Sequence, residues 1–262
     1  MEKNQIKEAA TSLLKAQGDV NPMIEPLTDQ YGNFPISDAY EIQKEVLAQR
    51  LAQGRRVVGK KIGLTSEPMQ KLIGVDQPDY GQVFDDQVFE DYSELSMSRM
   101  ISPMVEAEIG MILKRDLQGP GVTALDVMNS CEAIFPVIEI IDSRIKDWKI
   151  KIQDTVADNA GCWGVVVGSI LTNPSGIDLR LLGMNMTING KIVATGAGAA
   201  VWQSPYRSVA WLANKLSEYE VSLKAGEIIL SGALAAAVKI YAGDIVCVQF
   251  DRIGGVWVKF TP

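Results

Sequence analysis

Glu106 and Glu108 stand two residues apart in Val105-Glu106-Ala107-Glu108-Ile109, where they alternate with apolar side chains. In a strand, that alternation puts both carboxylates on one face and Val105, Ala107 and Ile109 on the other. Two adjacent carboxylates repel unless a cation lies between them, so the pair reads either as a water-facing strand or as part of a metal site. Glu139 bears on the choice. It lies inside Phe135-Pro136-Val137-Ile138-Glu139-Ile140-Ile141, a run apolar enough to be covered on both faces, where an unpaired carboxylate is costly. It needs a metal ion, or else the charge of a residue such as Lys61 or Arg144. Three carboxylates and water form an all-oxygen donor set that suits Mg²⁺ or Mn²⁺ and leaves positions open for substrate oxygens.

Other segments carry weaker signals. Gly59-Lys60-Lys61-Ile62-Gly63-Leu64-Thr65-Ser66 reads as a strand running into a helix start, with glycines where backbone can approach a ligand and one lysine facing inward. Such a lysine can bind an anionic substrate or, if desolvated, exchange a proton; its plain role is a solvated cation at a strand end. Gly74-Val75-Asp76-Gln77-Pro78-Asp79-Tyr80-Gly81 is turn chemistry, with Asp79 as an Asx-turn residue beside Pro78. The polar stretch 152–160 and the small-residue stretch 196–200 either line a pocket or let elements pack closely.

These groups must be held by elements legible from periodicity. Ile6, Ala9, Ala10, Leu13 and Leu14 form one helical stripe, and Tyr40, Ile42, Val46, Leu47 and Leu51 form another after an Asp38 start signal. Asn21-Pro22, Glu25-Pro26 and Phe34-Pro35 force an extended connection between them. From Val57 the texture becomes short Val- and Ile-rich runs separated by turn residues, predicting strands over 57–62, 105–113, 135–141, 164–170, 184–188, 192–195, 228–230, 245–250 and 256–260. Asn189-Gly190 predicts a type I′ hairpin. Helices are expected from Glu67-Pro68, after the Thr123 capping signal, and over 208–219. Strands irregularly interrupted by helices favour an α+β fold over a doubly wound sheet, with a helical region 1–56 ahead of a β-rich catalytic part 57–262.

Composition removes several classes of function. The 262 residues include no histidine, which excludes Ser-His-Asp triads, histidine bases and the commonest zinc ligands. Acid-base and metal chemistry must therefore use carboxylates, lysines, tyrosines or water. A net charge of −7 without a basic run argues against nucleic acid as a partner. The apolar runs are too short to span a bilayer, and the first residues lack a secretory pattern, so a cytoplasmic location is expected. Cys131, Cys162 and Cys247 have no CxxC spacing and read as inert thiols.

Taken in order, the 59–66 and 74–81 segments and the Glu106-Glu108 segment resemble the 2-keto-4-pentenoate hydratase branch of the fumarylacetoacetate hydrolase superfamily. The resemblance continues through Ile141-Asp142-Ser143-Arg144-Ile145-Lys146-Asp147-Trp148, Asp154-Thr155-Val156-Ala157-Asp158-Asn159-Ala160, Thr195-Gly196-Ala197-Gly198-Ala199 and Ala225-Gly226-Glu227-Ile228-Ile229-Leu230-Ser231-Gly232. It implies a fumarylacetoacetase-like mixed β-sandwich or roll with a small helical N-terminal region, assembled as a homo-oligomer. It also implies that Glu106, Glu108 and Glu139 hold Mg²⁺ or Mn²⁺, that Lys61 and Asp79 are catalytic, and that Leu64, Thr65, Ser66, Ser231 and Gly232 bind substrate.

The activity implied is that of a hydro-lyase adding water to a short 2-hydroxy-2,4-dienoate (2-oxopent-4-enoate) to give a 4-hydroxy-2-oxo acid, in meta-cleavage catabolism of aromatic compounds. The sister 4-oxalocrotonate decarboxylases share the glutamates and the lysine but resemble Thr-Pro-Ile-Tyr-Gly where this chain has Gln77-Pro78-Asp79-Tyr80-Gly81. The stretch from Asp147 lacks the insertion associated with hydratases of seven-carbon diacids. Gln203-Ser204-Pro205 departs from the His-Pro of several relatives. The alternatives are a metal-dependent 2-keto acid decarboxylase and a non-catalytic partner subunit of a hydratase/decarboxylase complex.

Overall fold

In the computed structural model, residues 1–17, 23–66, 70–71 and 74–262 are described. Asn21-Pro22 and the helix expected at Glu67-Pro68 lie outside them. Three helices come first: α1 (Lys3–Ala16), α2 (Leu27–Gln30) and α3 (Ile36–Ala52). Helix α1 buries Ala9, Ala10, Leu13 and Ala16 and packs on α3, as an apolar stripe at helical spacing requires. Pro35 caps α3, so the helix starts ahead of Asp38, whose carboxylate falls in the first turn, where it favours the helix dipole.

The strands are β1 (Val57–Gly63), β2 (Asp79–Phe84), β3 (Val88–Glu90), β4 (Ser93–Ser96), β5 (Met104–Leu113), β6 (Cys131–Ile141), β7 (Cys162–Val167), β8 (Gly183–Ile188), β9 (Lys191–Ala197), β10 (Ile228–Ala233), β11 (Val238–Lys239), β12 (Ile245–Phe250) and β13 (Gly254–Thr261). Helices α4 (Ala124–Ser130), α5 (Ile152–Ala157) and α6 (Pro205–Ser217) lie among them. One sheet runs β2-β1-β10-β5-β6-β7-β3, with β11 on β5; the other runs β4-β13-β12-β8-β9. Both mix parallel and antiparallel neighbours, and β12 and β13 pack against β6. The fold is α+β, as the alternation of strands and helices predicts.

Strand β6 is buried at every residue but Glu132, which accounts for its unbroken apolar run. At the β8–β9 turn, Asn189 and Gly190 both have positive φ (52° and 78°), as a type I′ hairpin demands. Thr123 caps α4 reciprocally with Asp126. Helix α6 starts earlier than its apolar stripe suggests, because Pro205 occupies the first turn behind Ser204.

One expectation is corrected here. Asp79 is not an Asx-turn residue; it opens β2 and pairs with Gly63 of β1. All six residues of β2 are buried, although Asp79, Gly81 and Gln82 give the segment no apolar run. The polar groups are met from outside the ladder: Asn159 accepts from Gln82 N through Oδ1 (2.7 Å) and donates to Gln82 O through Nδ2 (2.9 Å), so its amide acts as a further strand.

Buried Arg144 organises the 158–162 loop. It pairs through Nε with Asp158 Oδ1 and donates to the carbonyls of Asp142, Cys162 and Asp158. Because Asp158 is also buried, removing only the guanidinium strands a carboxylate. Arg144→Met is expected to lower the unfolding free energy by about 3–5 kcal/mol in denaturant titration. A loss below about 1 kcal/mol would show that the pair does not hold this loop.

Candidate metal centre and active site

The antiparallel pairing of β5 with β6 sets Glu106 directly opposite Glu139, and Glu108 follows on the same face of β5. Carboxylate oxygens of Glu106, Glu108 and Glu139 lie within 4.8 Å of one another, so the three could hold a metal ion. Glu108 and Glu139 are fully buried and Glu106 is half-buried at a cavity wall. Glu108 Oε2 accepts from Gly232 N (2.7 Å), while Glu108 Oε1 and both oxygens of Glu139 accept no hydrogen bond. Buried carboxylate oxygens without donors are rare and costly. A divalent cation fits this donor set and would meet the orphaned oxygens.

Lys61 and Lys60 point to opposite faces of β1. Lys60 pairs with Glu227 (2.6 Å), whereas Lys61 Nζ donates to Ala160 O (2.9 Å) and lies 3.2 Å from Glu139 Oε1. That second approach is an ion-pair contact rather than an aligned hydrogen bond, which is why Glu139 Oε1 remains without a donor. Of the two cations considered for Glu139, Lys61 is the one beside it; Arg144 is committed to Asp158.

Asp79 receives Thr155 Oγ1 on Oδ2 (3.1 Å), and its Oδ1 is buried without a partner. A Cβ at Gly63 would lie 2.2 Å from Asp79 Oδ1 and 3.3 Å from Lys61 Nζ. Glycine is thus required at 63 for the carboxylate and the ammonium to occupy one corner.

Electrostatics follow from four carboxylates sharing one ammonium. Burial first, and then the Glu139 charge, push Glu106 up to about 7 against the opposing Lys61. Burial likewise raises Glu108 well above the ordinary carboxylate value, with Glu139 and Glu106 adding to it, and raises Asp79 against Lys61 and Thr155. Burial alone would lower Lys61, but Glu139, Asp79 and Glu106 outweigh it and hold the ammonium charged. Lys61 is therefore a fixed positive charge and donor.

Of these groups, Lys61, Asp79 and Glu106 open on a cavity of about 510 Å³. Leu64, Thr65 and Ser66 line it with Lys61, Asp79 and Glu106. Ser231 and Gly232 do not; Gly232 serves Glu108 instead, and the Ser231 hydroxyl is buried without a partner. Wall residues beyond the sequence reading include Met104, Ile141, Trp148 and Ile150, while Thr155, Asp158 and Ala160 come from the 152–160 stretch, one of whose two readings was a pocket lining. Met104 and Ile141 were within reach of period-2 reasoning, each standing two residues from a glutamate on a strand face. The small-residue stretch 196–200 serves both purposes open to it. A Cβ at Gly196 would strike Leu234 O at 2.2 Å, and Ala200 reaches the cavity.

The C-terminal model of the fumarylacetoacetate (FAA) hydrolase family matches residues 76–260. The chain belongs to this family. It is 47% identical over 238 residues to a 2-hydroxyhexa-2,4-dienoate hydratase of Comamonas testosteroni, covering 90% of both chains. It is 44% identical over 260 residues to a 2-keto-4-pentenoate hydratase of Paraburkholderia xenovorans, covering 99% of this chain and 96% of the relative. The 4-oxalocrotonate decarboxylase of Pseudomonas putida G7, solved with magnesium and adipate, superposes with a TM-score of 0.96 at 35% identity, covering 99% and 98% of the two chains. No helix among the described residues is long and apolar enough to cross a membrane.

Because Glu106 holds its proton more tightly in the folded chain, the folded state binds the extra proton between about 4.5 and about 7. The stability of metal-free protein therefore falls as pH rises through that interval. Thermal unfolding of chelator-treated protein should show this fall, and Glu106→Gln should flatten it. Identical pH profiles for the two proteins would remove Glu106 from the charge cluster.

Proposed function

We propose that this protein is a divalent-metal-dependent hydro-lyase that adds water to a short 2-hydroxy-2,4-dienoate to give a 4-hydroxy-2-oxo acid. The observation that carries the reading is the set of donor-less oxygens on Glu108 and Glu139, which share one buried site with charged Lys61 and unpartnered Asp79 Oδ1. Two hydratase relatives at 44–47% identity support the reaction class. Glu106, Glu108 and Glu139 would hold Mg²⁺ or Mn²⁺, which supplies Lewis-acid polarisation of a 2-oxo acid.

Two of the chain's own groups, Lys61 and Asp79, act in the remaining steps. Lys61 holds its positive charge where negative charge develops on the substrate's C2 oxygen, and Ala160 O fixes the direction of its ammonium. The dienol gains a proton at C5 and loses its enol proton, leaving a C3–C4 double bond conjugated with the 2-oxo group. Water then adds its oxygen at C4 while C3 takes a proton, so one water enters overall. Asp79 moves the proton of that water. Burial raises its proton affinity, and Thr155 holds one oxygen so that the other is free to act. The carboxylate here also separates this site from the decarboxylase pattern, in which an apolar residue stands.

The likeness to a decarboxylase structure makes loss of CO₂ the second reading. NMR analysis of products from metal-loaded protein and 2-hydroxypenta-2,4-dienoate, with a chelated control, separates the two. The expected product is 4-hydroxy-2-oxopentanoate, formed only with metal; CO₂ release from 4-oxalocrotonate without hydration would favour the decarboxylase. Asp79→Asn should retain Mn²⁺ binding while hydration falls about 10²–10⁴-fold. Unchanged turnover would exclude Asp79 from proton transfer. Glu108→Ala should lose both tight Mn²⁺ binding and turnover, and Mn²⁺ titration by calorimetry checks the first directly.

A further inference from the structure

The cavity has two chemically different ends, and the register of β5 against β6 fixes their order. Glu106 faces Glu139, and two residues along the same strand faces Met104 faces Ile141. Side chains two apart on a strand share a face and stand about 7 Å apart. An apolar pair therefore follows the carboxylates one step down the ladder. Past that pair, Trp148 Nε1 donates to Ser102 O (3.1 Å), two residues before Met104, which ties the indole to the start of β5. Asp147 and Trp148 both adopt left-handed backbone (φ 56° and 55°) in the turn that delivers this ring. Ile150 joins the same wall.

The charges of this cavity are equally uneven. Among the described residues Lys61 is the only lysine or arginine on its wall, and no residue outside the description is Lys or Arg. Lys61 is engaged by Glu139 and Ala160 at the carboxylate end. Arg144 commits its guanidinium to Asp158 and to backbone carbonyls. Of Met104, Ile141, Trp148 and Ile150, only Trp148 has a side-chain N–H, and it already donates to Ser102 O. A carboxylate brought to this end would leave water at a wall where no lysine or arginine among the described residues stands to meet it.

We propose that Met104, Ile141, Trp148 and Ile150 form a specificity subsite that takes an uncharged alkyl substituent at the far end of a 2-oxo acid and excludes a second carboxylate there. The proposal rests on the functional reading above, in which the 2-oxo acid end lies at the glutamates. With that end fixed, a substituent on C5 extends toward the Met104–Ile141 step. It there replaces water with apolar contact, gaining about fourfold in affinity for each added methylene.

Unreactive saturated acids test this by calorimetry on Mg²⁺-loaded protein. 2-Oxohexanoate should bind about fourfold more tightly than 2-oxopentanoate. 2-Oxoadipate, of the same carbon count but with a terminal carboxylate, should bind at least about tenfold more weakly than 2-oxohexanoate. Ile150→Arg supplies the missing cation and should narrow or invert that ratio, with its circular dichroism compared with that of the wild type. Equal or tighter binding of 2-oxoadipate by the wild-type protein would overturn the subsite, whatever the variant does. If 2-oxopentanoate binds and the five-carbon dienoate is hydrated but the two six-carbon acids bind alike, the subsite alone falls. If no 2-oxo acid binds the metal-loaded protein, the functional reading falls with it.

Discussion

The structure turns on a cross-strand pair of like charges. Placing Glu106 opposite Glu139 in the middle of a buried ladder is unfavourable in itself, and Glu108 on the next position of the same face makes it worse. One ammonium, that of Lys61, lies within ion-pair distance of Glu139, and the remaining excess of negative charge is what a small hard cation would offset. The surrounding ladder of β10, β5, β6 and β7 is apolar and continuous enough to carry that local cost.

Around that pair, Lys61 and Asp79 are held by contacts from other elements. Arg144 clamps the carbonyls of a loop whose Ala160 O in turn receives Lys61. Asp154 accepts from Thr28 and from Lys151 N, tying α2 to α5, the helix that presents Thr155 to Asp79. Rigid support of this kind is what orients a charge without asking the substrate to do so.

Much of this is legible in the sequence, and the parts that are not share a cause. The long strands β5 and β6 and the helices α1 and α3 announce themselves by period. The three glutamates emerge from strand alternation and burial before any family likeness is considered. The strand that Asp79 opens was hidden because β2 is short and polar and is completed by the Asn159 side chain from elsewhere in the chain, which no local pattern encodes. Helices α2 and α5, of four and six residues, are too short to show a stripe and are stabilised by tertiary hydrogen bonds. Trp148 escaped for a similar reason, since its place depends on a left-handed turn and a bond to Ser102 O.

The adjacent lysines of β1 have a bearing on how the chain finds its pairing. Lys60 and Lys61 are both buried, yet they meet glutamates on opposite sides of the sheet, Glu227 on one and Glu139 on the other. Sliding β1 by one residue against β10 would turn each lysine toward the wrong face and break two buried charge contacts at once, besides exposing apolar neighbours. The two lysines thus act as a key with unlike teeth. They penalise misregistered β1 during folding through the same electrostatics that the native state uses to keep its carboxylates together.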